Sequence, residues 1–442
     1  MSVREIIYYY SSKAKNSNTI YHCLVNDSKE VVNRDKLDFK TQKIYRMNER
    51  YEATDADLFK FRNDLHKWNN EIKQHFFKRK DKTVFKIDIF NYNTTNQAVV
   101  NTALINSDQR KINAIPKVNF RELVMLENCL SCGLMTVDKN QLEKPIDTYS
   151  FDFPKYYLYM MKKIRIPTSA PQYYEIDHLD FDKLDYGYYR VKIHCSNKLF
   201  WNVFKFNDTH HYNYNTLKTL HKYRDRYGIT FELLPPDDQY NYNLVWYEHN
   251  EELRVLFKEW FTIIDKLLKV CSKDNWLLKS YISQAWGNLS KYKKVYVHKS
   301  DSTEYDWEHL NKISNEKYEY YSNSFENDIY TMISANNPFA HGGLGRIKPF
   351  LTEYSRNYIF NMISEHNLEQ YVIRIQTDSV SFTKPIDFEA LGLTYIPLLE
   401  DKSTGRLIFY NVNCYFHVCT DCGVEYKYNK GTTTSHLCCK CK

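Results

Sequence analysis

Two aspartates, Asp152 and Asp378, each lie in an otherwise apolar, strand-like segment of the chain. Asp152 lies near the end of Tyr149–Phe153, and Asp378 lies within Val372–Phe382. Burying a carboxylate among apolar side chains is costly unless it is paired or binds a metal. On neighbouring strands, the two could hold divalent cations about 3.5–4 Å apart, which stabilise the attacking and leaving oxygens in phosphoryl transfer. For either aspartate alone, an ordinary strand-end or turn position is the commoner explanation.

The length and composition of the chain set broad limits. Its 442 residues allow two or three domains or one large multi-lobed enzyme. No run approaches the roughly 18 apolar residues of a membrane helix, and the N-terminal sequence lacks the order of a signal peptide. We therefore expect a soluble, intracellular protein without a membrane partner. The formal charge of +7 is compatible with a nucleic-acid partner but does not establish one.

The pattern of elements changes at about residue 146, where a polar N-terminal part gives way to short apolar strands and long helical segments. This order predicts an α+β domain with a helical insertion. Predicted strands are Val84–Phe90, Thr148–Phe153, Gly187–Cys195, Thr230–Leu234 and a pair within Tyr371–Phe382. Predicted helices are Ala56–Phe77, Glu251–Cys271, Trp276–Tyr292 and Phe350–Ser364.

One predicted helix carries a group of residues suited to a nucleotide. Helical spacing places Lys279, Ser283, Trp286 and Gly287 on roughly one side. A lysine there can neutralise a triphosphate, and a glycine lets a flat group approach the helix closely. The alternative for this segment alone is an amphipathic helix with a surface lysine.

Taken in order, these segments resemble the three palm and fingers motifs of family B DNA polymerases, over roughly residues 120–415. The joint order is more specific than any single motif. The matching residues are Asp152 and Tyr157 in the first motif, Lys279, Trp286 and Gly287 in the second, and Thr377, Asp378 and Ser379 in the third. Within the family, the sequence most resembles the viral, linear-plasmid and transposon branch, which is protein-primed.

The resemblance implies a role for each matching residue. Asp152 and Asp378 would hold Mg²⁺ or Mn²⁺, and Tyr157 would lie beneath the incoming sugar and exclude a 2′-hydroxyl. The fingers residues expected to bind the nucleotide are Lys279, Ser283, Trp286 and Gly287, with Lys266 chosen among Lys258, Lys266 and Lys269 as a second triphosphate contact.

Several positions depart from the family pattern. Gln376 replaces the first Asp of the third motif, which removes a negative charge and favours a lower metal affinity or activity. Arg374 replaces the Tyr of that motif, and Ser283 with Gln284 replaces Asn-Ser in the second. The thumb-side Lys-x-Tyr pattern is missing, since Asn411–Tyr415 holds that place without a lysine. In the first motif, Lys155, Tyr156 and Leu158 differ from the pattern.

The N-terminal part lacks a convincing Asp-x-Glu motif of a proofreading exonuclease, because Asp55, Asp57 and Asp88 lie in unsuitable contexts. These departures keep two alternatives open. The first is a catalytically weakened or inactive relative that acts as a DNA-binding or scaffold subunit. The second is a metal-ribbon nucleic-acid binder unrelated to polymerases.

Five of the eleven cysteines cluster within residues 419–442. Cys419 and Cys422 are followed after fifteen residues by Cys438 and Cys441, a spacing that closes a tetrahedral Zn²⁺ site on two knuckles. An iron–sulfur cluster and unliganded thiols are the alternatives. A short polar module needs a metal to fold, which favours Zn²⁺. The isolated pair Cys129 and Cys132 is interpreted as core.

The predicted architecture is an α+β right-hand polymerase palm with helical fingers, a small thumb and a C-terminal zinc-ribbon-like module. The expected activity is DNA-directed DNA synthesis on a primed template from dNTPs, in replication of a viral or mobile genetic element, with a protein primer or other replication proteins as further partners. The host cytoplasm or a viral replication site is the expected place. The predicted domains are an exonuclease-like or template-binding part at 1–120, palm at 121–250 and 296–400, fingers helices at 251–295, and a thumb remnant with the zinc module at 401–442.

Overall fold

The computed structural model describes residues 6–13, 19–25, 28–32, 42–47, 54–78, 83–129, 133–298, 318–324, 329–391, 400–401, 405–418 and 425–426. All four cysteines of the predicted zinc site lie outside these residues, as does Cys132. None of the described cysteines forms a disulfide. Within the same ranges, no helix combines the length and the apolar composition that crossing a membrane requires.

The strands, in chain order, are β1 (Ile6–Lys13), β2 (Thr19–Val25), β3 (Ser28–Val32), β4 (Lys43–Arg46), β5 (Phe77–Lys78), β6 (Val84–Phe85), β7 (Met135–Val137), β8 (Pro145–Asp152), β9 (Arg165–Pro167), β10 (Gln172–Tyr174), β11 (Gly187–His194), β12 (His211–Asn213), β13 (Thr230–Leu233), β14 (Leu244–Trp246), β15 (Asn250–Glu252), β16 (Lys294–His298), β17 (Tyr318–Ser324), β18 (Ile329–Ser334), β19 (Val372–Gln376), β20 (Ser379–Phe382), β21 (Glu400–Asp401), β22 (Gly405–Asn411), β23 (Cys414–Val418) and β24 (Glu425–Tyr426).

The α-helices are α1 (Asp55–Lys73), α2 (Thr95–Ile105), α3 (Gln109–Ala114), α4 (Phe120–Asn128), α5 (Tyr156–Met161), α6 (Lys198–Val203), α7 (Tyr214–Lys222), α8 (Arg224–Tyr227), α9 (Leu253–Leu256), α10 (Lys258–Val270), α11 (Trp276–Ser283), α12 (Ala285–Leu289) and α13 (Ile347–Glu365).

The chain divides into two compact units. The first unit comprises Met1–Ala114 together with Leu253–Lys291, and the second comprises Ile115–Glu252 together with Tyr292–Lys442. The segment predicted as fingers helices therefore belongs to the same unit as the N-terminal part of the chain.

The first unit contains a four-stranded sheet in the order β3-β2-β1-β4, in which β4 runs parallel to β1. Helix α1 begins with a capping box, in which Thr54 and Asp57 satisfy each other's backbone N–H groups. Its buried face carries Leu58, Leu65 and Ile72, spaced seven residues apart as expected for one side of a helix.

The predicted strand Val84–Phe90 is wrong over most of its length. Only Val84–Phe85 forms a strand, β6, and Ile89–Asn91 forms a 3₁₀ turn. The reason is Asp88, whose carboxylate accepts hydrogen bonds from the Phe90 N–H and from Asn69 Nδ2 and so caps the turn.

The predicted helix Trp276–Tyr292 is interrupted at Gln284, which lies between the end of α11 at Ser283 and the start of α12 at Ala285. The predicted helix Glu251–Cys271 is likewise divided into α9 and α10, and its first residues form strand β15.

The second unit is built on an eight-stranded sheet in the order β24-β23-β22-β8-β20-β19-β7, with β21 also paired to β8. The sheet is curled. Although β8 and β20 lie between β22 and β19, the turn that joins β22 to β23 contacts β19, where Arg374 Nε donates to the Val412 carbonyl at 2.6 Å. The predicted strands Thr148–Phe153 and Tyr371–Phe382 are confirmed as β8 and as the β19–β20 hairpin. A second sheet, in the order β10-β14-β11-β12 with β13 paired to β11, confirms two further predicted strands.

Helix α13 confirms the predicted helix Phe350–Ser364 and is buried on most sides. Arg346, immediately before it, is fully buried and forms a two-pronged ion pair with the equally buried Glu122 of α4, at 2.6 and 2.8 Å. Tyr247 donates a further hydrogen bond to Glu122, and Arg346 donates to the Pro116 carbonyl. Every charged atom of the pair thus has a partner, which makes its burial tolerable.

Replacing Arg346 by methionine is expected to destabilise the second unit by about 3–5 kcal/mol, because Glu122 would be left as an uncompensated buried charge. The measurement is the free energy of unfolding in urea. The matched control is Arg224→Met, which removes a half-exposed arginine of the same unit and should change stability by less than about 1 kcal/mol. Equal losses in the two variants would contradict this account of the pair.

Candidate active site

Asp152 lies at the end of β8 in the middle of the curled sheet. The strand register places Asp152 opposite Ser379 of β20, and Ser379 opposite Gln376 of β19. Residues directly opposite each other in antiparallel strands point to the same face and lie about 4.5–5.5 Å apart. Asp152, Ser379 and Gln376 therefore form one polar row across this face of the sheet.

The next row on the same face is also polar. Ser150 of β8 lies opposite Ser381 of β20, and their buried hydroxyls are joined by a hydrogen bond of 2.7 Å. The intervening residues Phe151 and Val380 point to the other face, where Val380 is buried. The hydroxyl pair thus links the two strands that lead to the aspartates.

Asp378 lies in the two-residue turn that joins β19 to β20, next to Asp152. Its carbonyl accepts a hydrogen bond of 2.8 Å from the N–H of Phe153, the residue after Asp152. Thr377, the other turn residue, has a φ of 62°. A β-branched residue in this left-handed region is an outlier with a strain on the order of 1–3 kcal/mol, and such strain gathers at functional sites.

The turn is held in place from outside the hairpin as well. The Thr377 N–H donates to the Leu134 carbonyl at 2.8 Å. Gly133 packs so closely that a Cβ on it would come within 2.6 Å of the Thr377 methyl group. The position of Asp378 therefore depends on close packing between the turn and the segment before β7.

The negative charge of Asp378 acts on the helix that follows Asp152. Burial raises the pKa of the Tyr156 phenol well above its ordinary value, and the neighbouring phenols of Tyr157 and Tyr358 and then Asp378 raise it further. Tyr156 donates its hydroxyl to the Ser355 carbonyl at 2.5 Å. Asp152, Asp378 and the half-buried Tyr157 are thus brought together in one region of the second unit.

Gln376 is engaged by the turn between β22 and β23. Its amide Nε2 donates to Asn413 Oδ1 at 3.0 Å, while its amide oxygen accepts from Arg374. The Arg374 guanidinium is buried and stacks on Tyr415, 4.9 Å from the ring centre. Gln376 and Arg374, the two departures from the third motif, therefore form one network. Besides Asp378, a further acidic residue, Glu400 of β21, lies opposite Asp152 in the strand register.

The fingers residues lie in the first unit. Lys279, Ser283 and Gly287 are exposed at intervals of four residues along α11 and α12, and Ser283 donates its hydroxyl to the Lys279 carbonyl. A Cβ added to Gly287 would meet nothing within 4 Å. Trp286 is half-buried. The exposed residues of the predicted group thus keep their spacing of four although the helix is interrupted at Gln284.

Lys266 lies on the exposed side of α10, in the first unit. Its ammonium is 3.4 Å from the Phe76 carbonyl and 5.2 Å from the centre of the Phe77 ring. These contacts hold the side chain near β5.

Two acidic residues of the first unit, Asp57 and Asp88, have structural roles. Asp57 belongs to the capping box of α1, and Asp88 caps a 3₁₀ turn and pairs with Lys73. The strands β1 and β4 carry no acidic residue.

Within the described ranges, histidine, cysteine and acidic side chains nowhere gather in groups of three or more that could hold a metal. Sequence reasoning missed the engagement of Gln376 by Asn413, because the two residues are 37 positions apart. It also missed the Glu122–Arg346 pair, for which the only local signal was the Gly-Arg step before α13.

No protein-family model matches the chain, and no curated protein matches it. Solved structures do. One is Phi29 DNA polymerase with primer-template DNA in a post-translocation binary complex, at a TM-score of 0.55 and 11% identity, covering 98% of this chain and 91% of that chain. The fold resembles that of a DNA polymerase.

Two further structures of the same polymerase agree. The complex with single-stranded DNA gives a TM-score of 0.54, and the ternary complex with primer-template DNA and incoming nucleotide gives 0.51, each at 11% identity with 97% of this chain and 90% of that chain covered. At this identity the likeness concerns the fold alone. It supports the predicted polymerase-like mixture of helices and sheet.

Replacing Gly133 by alanine is expected to lower stability by about 1–3 kcal/mol, because the new methyl group would collide with the Thr377 methyl group. Adding Thr377→Ser removes that methyl group and should restore at least half of the loss. The measurement is the free energy of urea unfolding for the two single variants and the double variant. Additive effects would show that the two positions do not touch.

Proposed function

We propose that the chain is a DNA-directed DNA polymerase that adds deoxynucleotides to a primer 3′ end, with Asp152 and Asp378 holding two divalent cations. The observation that carries the proposal is the register of β8 and β20. It brings these two aspartates, separated by more than 200 residues in sequence, to the same end of the sheet in a polymerase-like fold.

The donors at this site suit Mg²⁺ or Mn²⁺. Both ions prefer oxygen ligands, and Mg²⁺ is usually held by one or two carboxylates while substrate phosphates and water complete its shell. Asp152 and Asp378 are half-buried, so their carboxylates can contribute to such a shell from the protein side. Bound ions would neutralise the triphosphate and the oxygens of the attacking and leaving groups.

The remaining roles rest on the resemblance to family B DNA polymerases. The exposed Lys279 ammonium would neutralise a triphosphate, and the open surface at Gly287 would let a flat base approach α12. Ser283 and Trp286 lie beside them, and Lys266 on α10 would be a second phosphate contact. Tyr157, close to the aspartates, would screen the sugar for a 2′-hydroxyl.

Finer parts of the proposal rest on the sequence resemblance. These are membership of family B, replication of a viral or mobile genome, and a protein primer. The proposed Zn²⁺ site at the C-terminal cysteines, with an iron–sulfur cluster as the alternative, rests on the cysteine spacing. Sequence-independent phosphate contacts by lysine and arginine would hold the primed template.

A second candidate function is a catalytically weakened relative that serves as a DNA-binding or scaffold subunit. The network of Gln376, Arg374 and Asn413 favours it, because a neutral amide and a buried cation stand where the family has an acid and a tyrosine. The two candidates differ in whether the full chain extends a primer.

Extension of a labelled DNA primer on a template, with dNTPs and Mg²⁺ or Mn²⁺, tests the proposal. Asp378→Asn and Asp152→Asn are each expected to reduce the rate at least about 100-fold, because each removes a charged metal ligand. EDTA should abolish extension by wild-type protein.

The matched control is Asp147→Asn, which neutralises an exposed aspartate on the same strand, β8, and should extend primers like wild type. Wild-type protein that is folded and binds DNA, yet extends no primer with either metal, would favour the scaffold function. Extension that survives both Asp378→Asn and Asp152→Asn would refute the metal site itself.

A further inference from the structure

Strand β11 of the second unit has one edge that its neighbours cover only in part. On one side, β14 and then β13 pair with it along its length. On the other side, β12 pairs only with Tyr188–Arg190. Among the described residues, no strand continues this pairing beyond Val191, whose N–H donates to the His210 carbonyl at 2.8 Å. A strand edge with unpaired N–H and C=O groups is a template for a further strand.

The edge is open because the chain before β12 turns away at His210. His210 has a φ of 59°, in the left-handed region that residues other than glycine seldom adopt. Its N–H donates to the Asn207 carbonyl at 2.9 Å, so the preceding residues form a tight turn and do not extend the ladder. Strand β12 therefore begins only at His211.

The alternation of backbone hydrogen bonds shows which groups face the open edge. The backbone of Arg190 bonds toward β13 and β14, and that of Val191 bonds toward β12. Because successive residues of a strand direct their N–H and C=O groups to opposite edges, Ile193 and Cys195 face the open edge as Val191 does. The Cys195 carbonyl accepts a hydrogen bond from Trp201 Nε1 at 3.0 Å, which places Trp201 beside this edge.

A cleft of about 480 Å³ runs along the open edge. Five consecutive residues, Lys192–Ser196, line it. Since neighbouring residues of a strand point to opposite faces, a cleft that touches all of them follows the edge of the strand. We call it the β11 edge cleft, and its other wall is formed by Trp201, Phe206 and His210. Its volume is within the range of roughly 300–1,000 Å³ that is usual for ligand sites.

The second wall of the β11 edge cleft offers aromatic surface. The Phe206 side chain is 42% exposed and packs edge-on against Trp201, with 5.4 Å between the ring centres. Apolar side chains that are exposed together are typical of surfaces that bind another protein. The cleft can therefore receive an apolar side chain directly beside the open strand edge.

The surroundings of the β11 edge cleft are basic. Residues 192–206 contain no acidic residue and three lysines, namely Lys192, Lys198 and Lys205. Glu232, on the far edge of β11, offsets part of this charge, because its carboxylate lies 4.0 Å from the Lys192 ammonium and 2.8 Å from His194 Nε2. Asp208 adds a second carboxylate. Three lysines against two carboxylates leave a net positive charge, which favours an acidic partner.

We propose that the β11 edge cleft binds an extended, acidic peptide segment of a partner protein, which adds a strand to β11 and places an apolar side chain against Trp201 and Phe206. Main-chain hydrogen bonds with Ile193 and Cys195 supply affinity, while the aromatic rings and Lys192 supply specificity. Single-stranded DNA also suits aromatic rings and lysines, but it lacks the alternating N–H and C=O groups that match a strand edge. The inference goes beyond the proposed polymerase function and does not depend on it.

Selection of random peptides, displayed on phage, against the full chain tests the inference. Peptides of about nine residues are longer than the open edge and can therefore pair along all of it. We expect the enriched peptides to combine acidic residues with an aromatic or large aliphatic residue. As synthetic peptides they should bind Phe206→Ser at least about tenfold more weakly than wild type, because this variant removes the exposed anchor ring.

The matched control is Tyr174→Ser, which removes another exposed ring of the same unit. Tyr174 is 41% exposed and lies 6.0 Å from the Trp246 ring, much as Phe206 lies beside Trp201. Its loss should change peptide binding by less than about threefold. Unfolding midpoints like wild type show that both variants keep the fold.

A change of charge provides a second variant that leaves the aromatic wall intact. Lys192→Gln should weaken binding of the acidic peptides by about threefold and make it less sensitive to salt. Lys218→Gln, which neutralises an exposed lysine of α7 outside the cleft, is the control and should bind them like wild type.

Methylation of single backbone nitrogens in an enriched peptide tests the strand addition itself. Positions whose N–H faces β11 should lose at least about tenfold in affinity, and the intervening positions less than about threefold, so that the effect alternates along the peptide. Losses without this period of two would overturn the proposed mode of binding.

The inference also falls if no peptide is enriched on wild type relative to Phe206→Ser. Binding of a labelled oligodeoxythymidylate that is lost in Phe206→Ser but kept in Tyr174→Ser, without any enriched peptide, would assign the cleft to nucleic acid instead. Because the peptide assays contain no metal and no dNTP, a failure of primer extension leaves their outcome unaffected.

Discussion

The buried pair of Glu122 and Arg346 is the interaction on which the geometry of the second unit depends. It fixes α4 to the start of α13, and both side chains are removed from water. Along α13, the Ser355 carbonyl then accepts the hydroxyl of Tyr156, four residues after Asp152. At its far end, α13 leads into β19 and the turn with Asp378. One anchored helix therefore touches the surroundings of both aspartates.

A buried ion pair of this kind contributes little net stability, since the desolvation of two charges offsets most of their attraction. The pair instead fixes one position of α13, because any shift of this helix along its axis would separate Arg346 from the Glu122 carboxylate and leave both charges buried and unpaired. The same helix carries Glu353, and burial raises the pKa of its carboxyl to about 7. This carboxyl accepts hydrogen bonds from the Thr216 hydroxyl and from the Asn213 N–H. Buried polar contacts of Arg346 and Glu353 thus specify the position of α13 in the second unit.

The local structure around the aspartates could be predicted from the sequence, because alternating apolar residues mark strands such as β8 and β19. The exposed series Lys279, Ser283 and Gly287 could also be predicted, since a spacing of four survives a short break in the helix. Long-range partners could not. Nothing near Gln376 indicates that Asn413 will bind it, and no periodicity indicates that residues 1–114 and 253–291 form one unit.

The network at Gln376 explains how the site differs from the family pattern. An aspartate at this position would face Arg374, and the ion pair would neutralise much of its charge. With glutamine, the amide instead bridges Arg374 to Asn413 and connects β19 to the turn between β22 and β23. Gln376 therefore adds no negative charge beside Asp152 and Asp378, and the hydrogen bonds of Arg374 and Gln376 join β19 to the turn.

The central claim is that Asp152 and Asp378 together form a metal site. Electron paramagnetic resonance of Mn²⁺, titrated into the full chain with a primed template and a non-hydrolysable dNTP, tests it without requiring catalysis. The account predicts two bound ions per chain that are lost when Asp152 and Asp378 are both replaced by asparagine. The same number of bound ions in wild type and in that double variant would contradict it.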